Sequence, residues 1–244
     1  QATIAEALAA DEDVLIPRHL GSLARSCKVI KEAVKDAKDK LKVEYTAARA
    51  LLVKGGYTIE WIVDERPYRL HCSSKGLTAA DAPALTNVLK SKALARLDCA
   101  SNKLRSLPVS LSACLELREL CCNNNRDLEW LPTDLGLFQP KLTGVWCNGC
   151  GLLELPSSLE AAVGLADLDV GGNRLRSLPN ALGGGQQPNL RTIRCRDNQI
   201  TKLPGGLASA VSLRCLDASC NSLEEVDVLA MCGAFLFIFV RTGN

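Results

Sequence analysis

Aromatic side chains make up only 4% of this 244-residue chain, and it has just two histidines and one methionine. A core cannot be built from rings here, so Leu, Val and Ala must fill it. His19 lies in "IPRHL" and His71 in "PYRLHC", each without a ligand-type neighbour. Neither has a serine or cysteine nucleophile paired with it in the sequence, and both read as surface residues. Charge of one sign is also lacking. Lys and Arg number 29 against 27 Asp and Glu, a formal +2 with no long basic block, which gives no support to a nucleic-acid or membrane-surface role. Long apolar runs are missing too. The longest apolar-leaning stretch, the 13 residues 228–240, falls short of the roughly 20 needed to span a bilayer. "GGGQQPNL" lacks the Lys-Ser/Thr and the strand–helix setting of a phosphate-binding loop.

What the chain has instead is a repeat. "LARLDCASNKL" begins at Leu94 and "LRELCCNNNRDL", with one extra residue, at Leu117. "LTGVWCNGCGL" follows at Leu142, "LADLDVGGNRL" at Leu165, "LRTIRCRDNQI" at Leu190 and "LRCLDASCNSL" at Leu213. The starts lie alternately 23 and 25 residues apart. Each reads L-x-x-L-x-L-x-x-N-x-L, with Cys, Val or Ala allowed at the third apolar place. The x-L-x-L segment predicts a short strand with alternate residues facing in and out. Asn102, Asn125, Asn173, Asn198 and Asn221 take the turn position, and Cys150 replaces Asn in one coil. The second half of each coil carries Pro108, Pro132, Pro156, Pro179 or Pro204. Proline excludes a long helix, so short turns or 3₁₀ pieces are expected on that side. The two-residue excesses map to "NNNRD" with "GLFQP" and to "GGGQQPN", both expected to be surface loops.

This pattern resembles the leucine-rich-repeat family. The resemblance implies an α/β solenoid whose parallel strands line the concave face, with about seven coils and a truncated one over residues 57–244. An earlier degenerate coil, "PYRLHCSSKGL", puts Leu70, Cys72 and Leu77 in register, with Lys75 at the Asn place. Its longer continuation is similar to the ribonuclease-inhibitor type of repeat and predicts a helix over about 81–90. The tail is expected to be a broken coil, not an anchor, with Leu236, Phe239, Arg241 and Asn244 on the consensus and Arg241 the misfit. The native chain is expected to continue past Asn244.

Residues 1–56 are expected to form a separate helical region. In 26–56, Ile30, Val34, Ala37, Leu41, Ala48 and Leu51 recur mostly at helical steps, which predicts a helix roughly 40 Å long. "YTIEWIVDE" alternates like a strand. The long helix reads as an N-terminal cap over the first coil, with docking on another subunit as the alternative.

Twelve cysteines are many. Cys72, Cys99, Cys122, Cys147 and Cys195 share one inward slot, where cysteine acts as a small hydrophobe. That placement favours a reducing compartment, the cytoplasm, with a cytoskeletal or organelle assembly as a variant. "CNGC" at 147–150 occupies core positions of one coil and has no second ligand pair, so no metal site is read from it. Cys121 and Cys215 are expected to be the reactive thiols.

No catalytic constellation and no cofactor signature is found, and no small-molecule substrate is indicated. The expected function is non-catalytic: a module that holds a polypeptide partner on the concave face, or a fixed subunit of a larger assembly. The alternative is the targeting arm of a larger enzyme (a kinase, cyclase, phosphatase or ubiquitin ligase) whose catalytic domain lies elsewhere. Among the outward strand positions Trp146 is the expected anchor, because Trp and Arg dominate binding hot spots. Arg96, Glu119, Asp167, Asp169, Arg194 and Arg196 are the expected charged contacts.

Overall fold

The computed structural model describes residues 68–82, 85, 94–108, 111, 114–224 and 237–239. All lie in the compact unit Pro67–Asn244. The long helix expected over 26–56, its capping role and the strand after it fall outside the described residues. So does most of the helix expected over 81–90. A 3₁₀ turn spans Ala79–Asp81, opened by the Thr78 N–H donating to the Asp81 carboxylate at 2.8 Å, and Ala82 and Leu85 are helical.

Eight short strands form one parallel sheet in chain order. They are β1 (Tyr68–His71), β2 (Leu94–Asp98), β3 (Glu119–Cys121), β4 (Gly144–Trp146), β5 (Asp167–Asp169), β6 (Thr192–Arg194), β7 (Cys215–Asp217) and β8 (Phe237–Phe239). Each pairs only with the strand of the coil before and the coil after it. The middle residues stack in register: Leu70, Leu97, Leu120, Val145, Leu168, Ile193 and Leu216. From Leu97 to Leu216 every member of that column is 0% exposed. No single coil could exclude water from its own leucine, so burial is a property of the stack.

Buried amides hold the coils at this spacing. The Asn198 Nδ2 donates to the carbonyls of Val170 and Cys195, and its Oδ1 accepts from the Leu175 N–H. Asn102, Asn125, Asn173 and Asn221 repeat this scheme. Cys150 has no amide oxygen to offer the preceding coil. That preceding coil is the one with the extra residue in "NNNRD", and there the Leu128 N–H donates to the Asn125 carbonyl instead, at 2.9 Å. The insertion and the Asn-to-Cys exchange are therefore two sides of one local solution. The residue just before the ladder position turns left-handed in coil after coil, at Ser101, Asn124, Asp197 and Cys220 among the non-glycines.

On the opposite side each proline carbonyl accepts the N–H of a leucine three residues on, from Leu111 to Leu207. Those leucines are buried. The 3₁₀ turns Ser157–Ala161 and Gly205–Ser209 start directly after Pro156 and Pro204. The expectation of short convex turns holds.

Two sequence expectations are corrected. The excess segments "GLFQP" and "GGGQQPN" do reach the surface, but each turns one glutamine fully inward. Gln139 accepts from the Gly136 N–H and donates to the Leu111 carbonyl. Gln187 does the same with Gly183 and Leu159. The shorter coils carry Cys114, Ala162 or Ala210 at this slot, all small. The alternation of 23 and 25 residues is thus an alternation between a small side chain and a glutamine staple to the coil before. Gln187→Ala should cost about 2 kcal/mol, because it orphans a buried N–H. Urea denaturation would read this, and a change within about 0.5 kcal/mol, the ordinary surface range, would deny the staple any weight.

The second correction concerns the tail. Leu216 pairs with Ile238, not Phe239, so β8 sits one residue earlier than the consensus match placed it. A one-residue slip exchanges the two faces of a strand.

Candidate interaction face

The outward strand residues fall in two rows that run across the sheet. One row holds Arg69, Arg96, Glu119, Gly144, Asp167, Thr192 and Cys215; the other holds His71, Asp98, Cys121, Trp146, Asp169, Arg194 and Asp217. These are the positions that period-2 alternation assigns to the concave face.

Trp146 stands on the central strand β4 and is half-buried. Its six-membered ring lies over Gly144 on the same strand. A Cβ there would overlap Cη2, Cζ3 and Cζ2 of the indole, so glycine is what lets the ring lie flat. The tryptophan packs on its own backbone and still presents a face to solvent.

Trp130 is 48% exposed, beyond the turn that ends β3, and is not on the concave sheet. Leu153, in the next coil, is exposed beside this stretch, and its N–H donates to the Glu129 carbonyl.

The charged residues divide into two groups. In the first coils they satisfy one another. Arg96 pairs with Glu119 and lies 3.8 Å from Asp98, whose other close neighbour is the His71 Nδ1 at 2.9 Å. Asp98 is only 7% exposed. Further along, Asp169 accepts from the Gly171 N–H and the Asn148 amide, and Asp217 accepts from the Ser219 N–H and hydroxyl. Asp98 does the same for the Ala100 N–H. Aspartate at this slot therefore builds the exit turn of the strand. The signal was present in the sequence as "LDCAS", "LDVGG" and "LDASC", an Asp followed two residues later by a small residue, but it reads at first as free surface charge. Asp167 is half-buried, and Arg194 and Arg196 are exposed. Arg196 pairs with its chain neighbour Asp197 at 3.1 Å.

All ten cysteines among the described residues are free thiols. Cys122 and Cys147 stack with sulfurs 3.0 Å apart, and the Cys150 thiol donates to the Cys122 carbonyl at 3.2 Å. Burial pushes Cys72 and Cys195 up to about 12 and Cys114 to about 11. It also raises Cys99 well above an ordinary thiol, and Cys121 as well. Among the described residues the most accessible thiol is Cys220, an exposed residue in a left-handed turn that the sequence did not single out. With thiolate as the reacting species, an alkylating reagent at neutral pH should modify Cys220 first among these ten thiols and leave Cys99, Cys122 and Cys147 untouched until unfolding. Mass-spectrometric mapping of the native chain would check this, and early labelling of Cys122 would contradict the stacked core. Among the described residues no group of three or more His, Cys, Asp or Glu is placed to hold a metal ion, and no helix is long and apolar enough to cross a membrane.

No protein-family model and no curated protein matches the chain. Solved structures do. A leucine-rich-repeat protein of Leptospira interrogans superposes with a TM-score of 0.57 at 21% identity, over 64% of this chain and 40% of that one. Toll of Drosophila, solved in complex with Spätzle, gives 0.52 at 28% identity, over 64% of this chain and 20% of that one. YopM of Yersinia enterocolitica gives 0.50 at 25% identity, over 71% and 37%. The matched part spans less than half the length of each of these chains. The coil consensus, the asparagine ladder and the continuous parallel sheet agree with these superpositions, and this chain has the leucine-rich-repeat fold.

Proposed function

We propose that this chain is a protein–protein interaction module that receives a polypeptide on its concave face, as a binding arm or as a fixed subunit of a larger assembly. The observation that carries this reading is Trp146: a large aromatic held flat over Gly144 in the middle of an eight-stranded face, with part of its ring uncovered. Tryptophan is among the residues enriched in the central hot spots of protein interfaces. The charged residues Arg96, Glu119, Asp167, Asp169, Arg194 and Arg196 would frame it. The likeness to Toll, which was solved in complex with Spätzle, agrees with this use of the fold. A reducing compartment, the cytoplasm first, fits a core lined with unpaired thiols.

Affinity capture with the intact chain tests the proposal. Trp146→Ala should weaken recovery of the bound protein by about 2 kcal/mol, a hot-spot effect, whereas Trp130→Ala off the face should leave it unchanged. Equal recovery by wild type and Trp146→Ala would remove the concave face from consideration.

A further inference from the structure

The charges of the solenoid are uneven along the chain, and the coil from Leu190 to Ser212 is basic, with Arg191, Arg194, Arg196 and Lys202 against Asp197. Residues 109–169 carry nine Asp and Glu against three Arg and Lys, while residues 170–216 carry seven Arg and Lys against one Asp. All seven cations are exposed. Among the described residues only Arg196 of the seven makes an ion pair, and that is with its chain neighbour Asp197. Two others, Arg191 and Arg214, sit side by side at the rim, the Arg214 N–H donating to the Arg191 carbonyl at 2.8 Å.

Arg194 is the informative member. It stands in register between Asp169 on β5 and Asp217 on β7, where a cross-strand ion pair would ordinarily form. It forms none with either, because both carboxylates are turned onto their own strand exits, at the Gly171 N–H and at the Ser219 N–H and hydroxyl. A guanidinium is thus left on the concave face with its natural partners engaged elsewhere. Trp146 lies in the same row, two strands away.

We propose that the coil of β6, with Arg214 beside it, binds an acidic stretch of an extended polypeptide partner. Arg194 and Arg196 take its carboxylates, Arg191 and Arg214 add field at the rim, and an apolar side chain of the same partner covers Trp146. This rests on the interaction-module reading and gives it a chemistry. Two strand spacings are about 10 Å, the reach of about three extended residues. The recognition element is therefore an apolar residue separated by about three positions from Asp or Glu. A polypeptide fits better than a nucleic acid, because the adjoining coils are acidic. A phosphate backbone with a charge about every 3.4 Å along each strand would be repelled there, whereas a polypeptide can be acidic over one stretch alone.

The test is selection from a display library of random peptides on the purified chain. Enriched peptides should carry Asp or Glu at that spacing from an aromatic or aliphatic residue. Arg194→Ala should weaken a selected peptide about tenfold, Arg194→Glu should select basic peptides instead, and Lys202→Ala, off the strand rows, should change nothing. Enriched peptides without acidic bias, or binding indifferent to Arg194→Ala, would overturn the inference and leave the interaction module standing. No enrichment at all would count against both. Displacement of the selected peptides by a single-stranded oligonucleotide at lower concentration would overturn it in favour of nucleic acid. Self-association in sedimentation that vanishes in Arg194→Glu would overturn it in favour of a second copy of this chain.

Discussion

Asn198→Ala is expected to destabilise the solenoid by about 3 kcal/mol, far more than the removal of one amide from a surface would. Besides a longer contact to the Arg196 carbonyl at 3.2 Å, the amide satisfies three backbone groups in two coils, and they fare differently without it. The Leu175 N–H loses its acceptor outright. The carbonyls of Val170 and Cys195 each keep a second amide, from Asn173 and Asn221. The cost is therefore one fully orphaned buried donor plus two weakened acceptors. This sharing has a sharper consequence. Removing Asn173 as well strips the Val170 carbonyl of both side-chain donors, so Asn173→Ala and Asn198→Ala together should cost more than the sum of the two alone. Asn198→Asp is an informative companion: it keeps the acceptor for Leu175 but sets a carboxylate oxygen against two carbonyls, and should be no better tolerated than alanine. Urea denaturation of the three variants and the double would read all of this. Strict additivity of the pair, or a loss below about 1 kcal/mol for Asn198→Ala, would show that water replaces the amide without penalty.

Leu168→Ala should cost about 2–5 kcal/mol, the range for truncating a fully buried leucine. Leu168 sits between Val145 and Ile193 in the buried column. In a linear stack each coil contacts only its neighbours, so position matters as much as area. A cavity at this inner position weakens both interfaces of its coil and can uncouple the coils of β1–β4 from those of β6–β8. The expected signature is a lower midpoint together with a smaller denaturant slope, because the slope follows the surface exposed in one cooperative step. A reduced midpoint with an unchanged slope would mean that the coils still unfold together. A loss under about 1 kcal/mol would mean that the column relaxes around the gap.

The leucine column and the asparagine ladder are not equally legible in the sequence. The leucine column follows from the repeat alone: once the starts at Leu94, Leu117, Leu142, Leu165, Leu190 and Leu213 are aligned, the residues that must stack are settled. The role of the asparagines follows as well, since a polar residue recurring at one buried slot must bond to backbone. The sharing of one carbonyl by two amides does not follow. It depends on how far one coil is displaced from the next, and no single coil contains that distance.

The concave rows divide in the same way. Alternation placed Trp146, Asp169 and Arg194 in one row before any coordinate was known. It could not tell that Asp169 and Asp217 are engaged in turns while Arg194 is not, because a charge's partner is chosen by side-chain torsions and by backbone N–H groups two residues away. Nor could it show that Gly144 is the floor beneath the Trp146 ring.

Periodicity by itself determined the fold, the strand faces, the buried column and the convex prolines, because each is a local pattern copied from coil to coil. Departures from the period were decided only by the tertiary structure. Gln139 and Gln187 turn inward because a longer coil leaves a glycine N–H and a neighbouring carbonyl to be bridged. Cys150 is tolerated because the coil before it takes an extra residue and bonds to itself. Ile238, not Phe239, stands opposite Leu216 because the ladder with β7, not the best consensus match, sets the register. Each of these depends on two coils at once, and the distance between coils exists only after the chain has stacked.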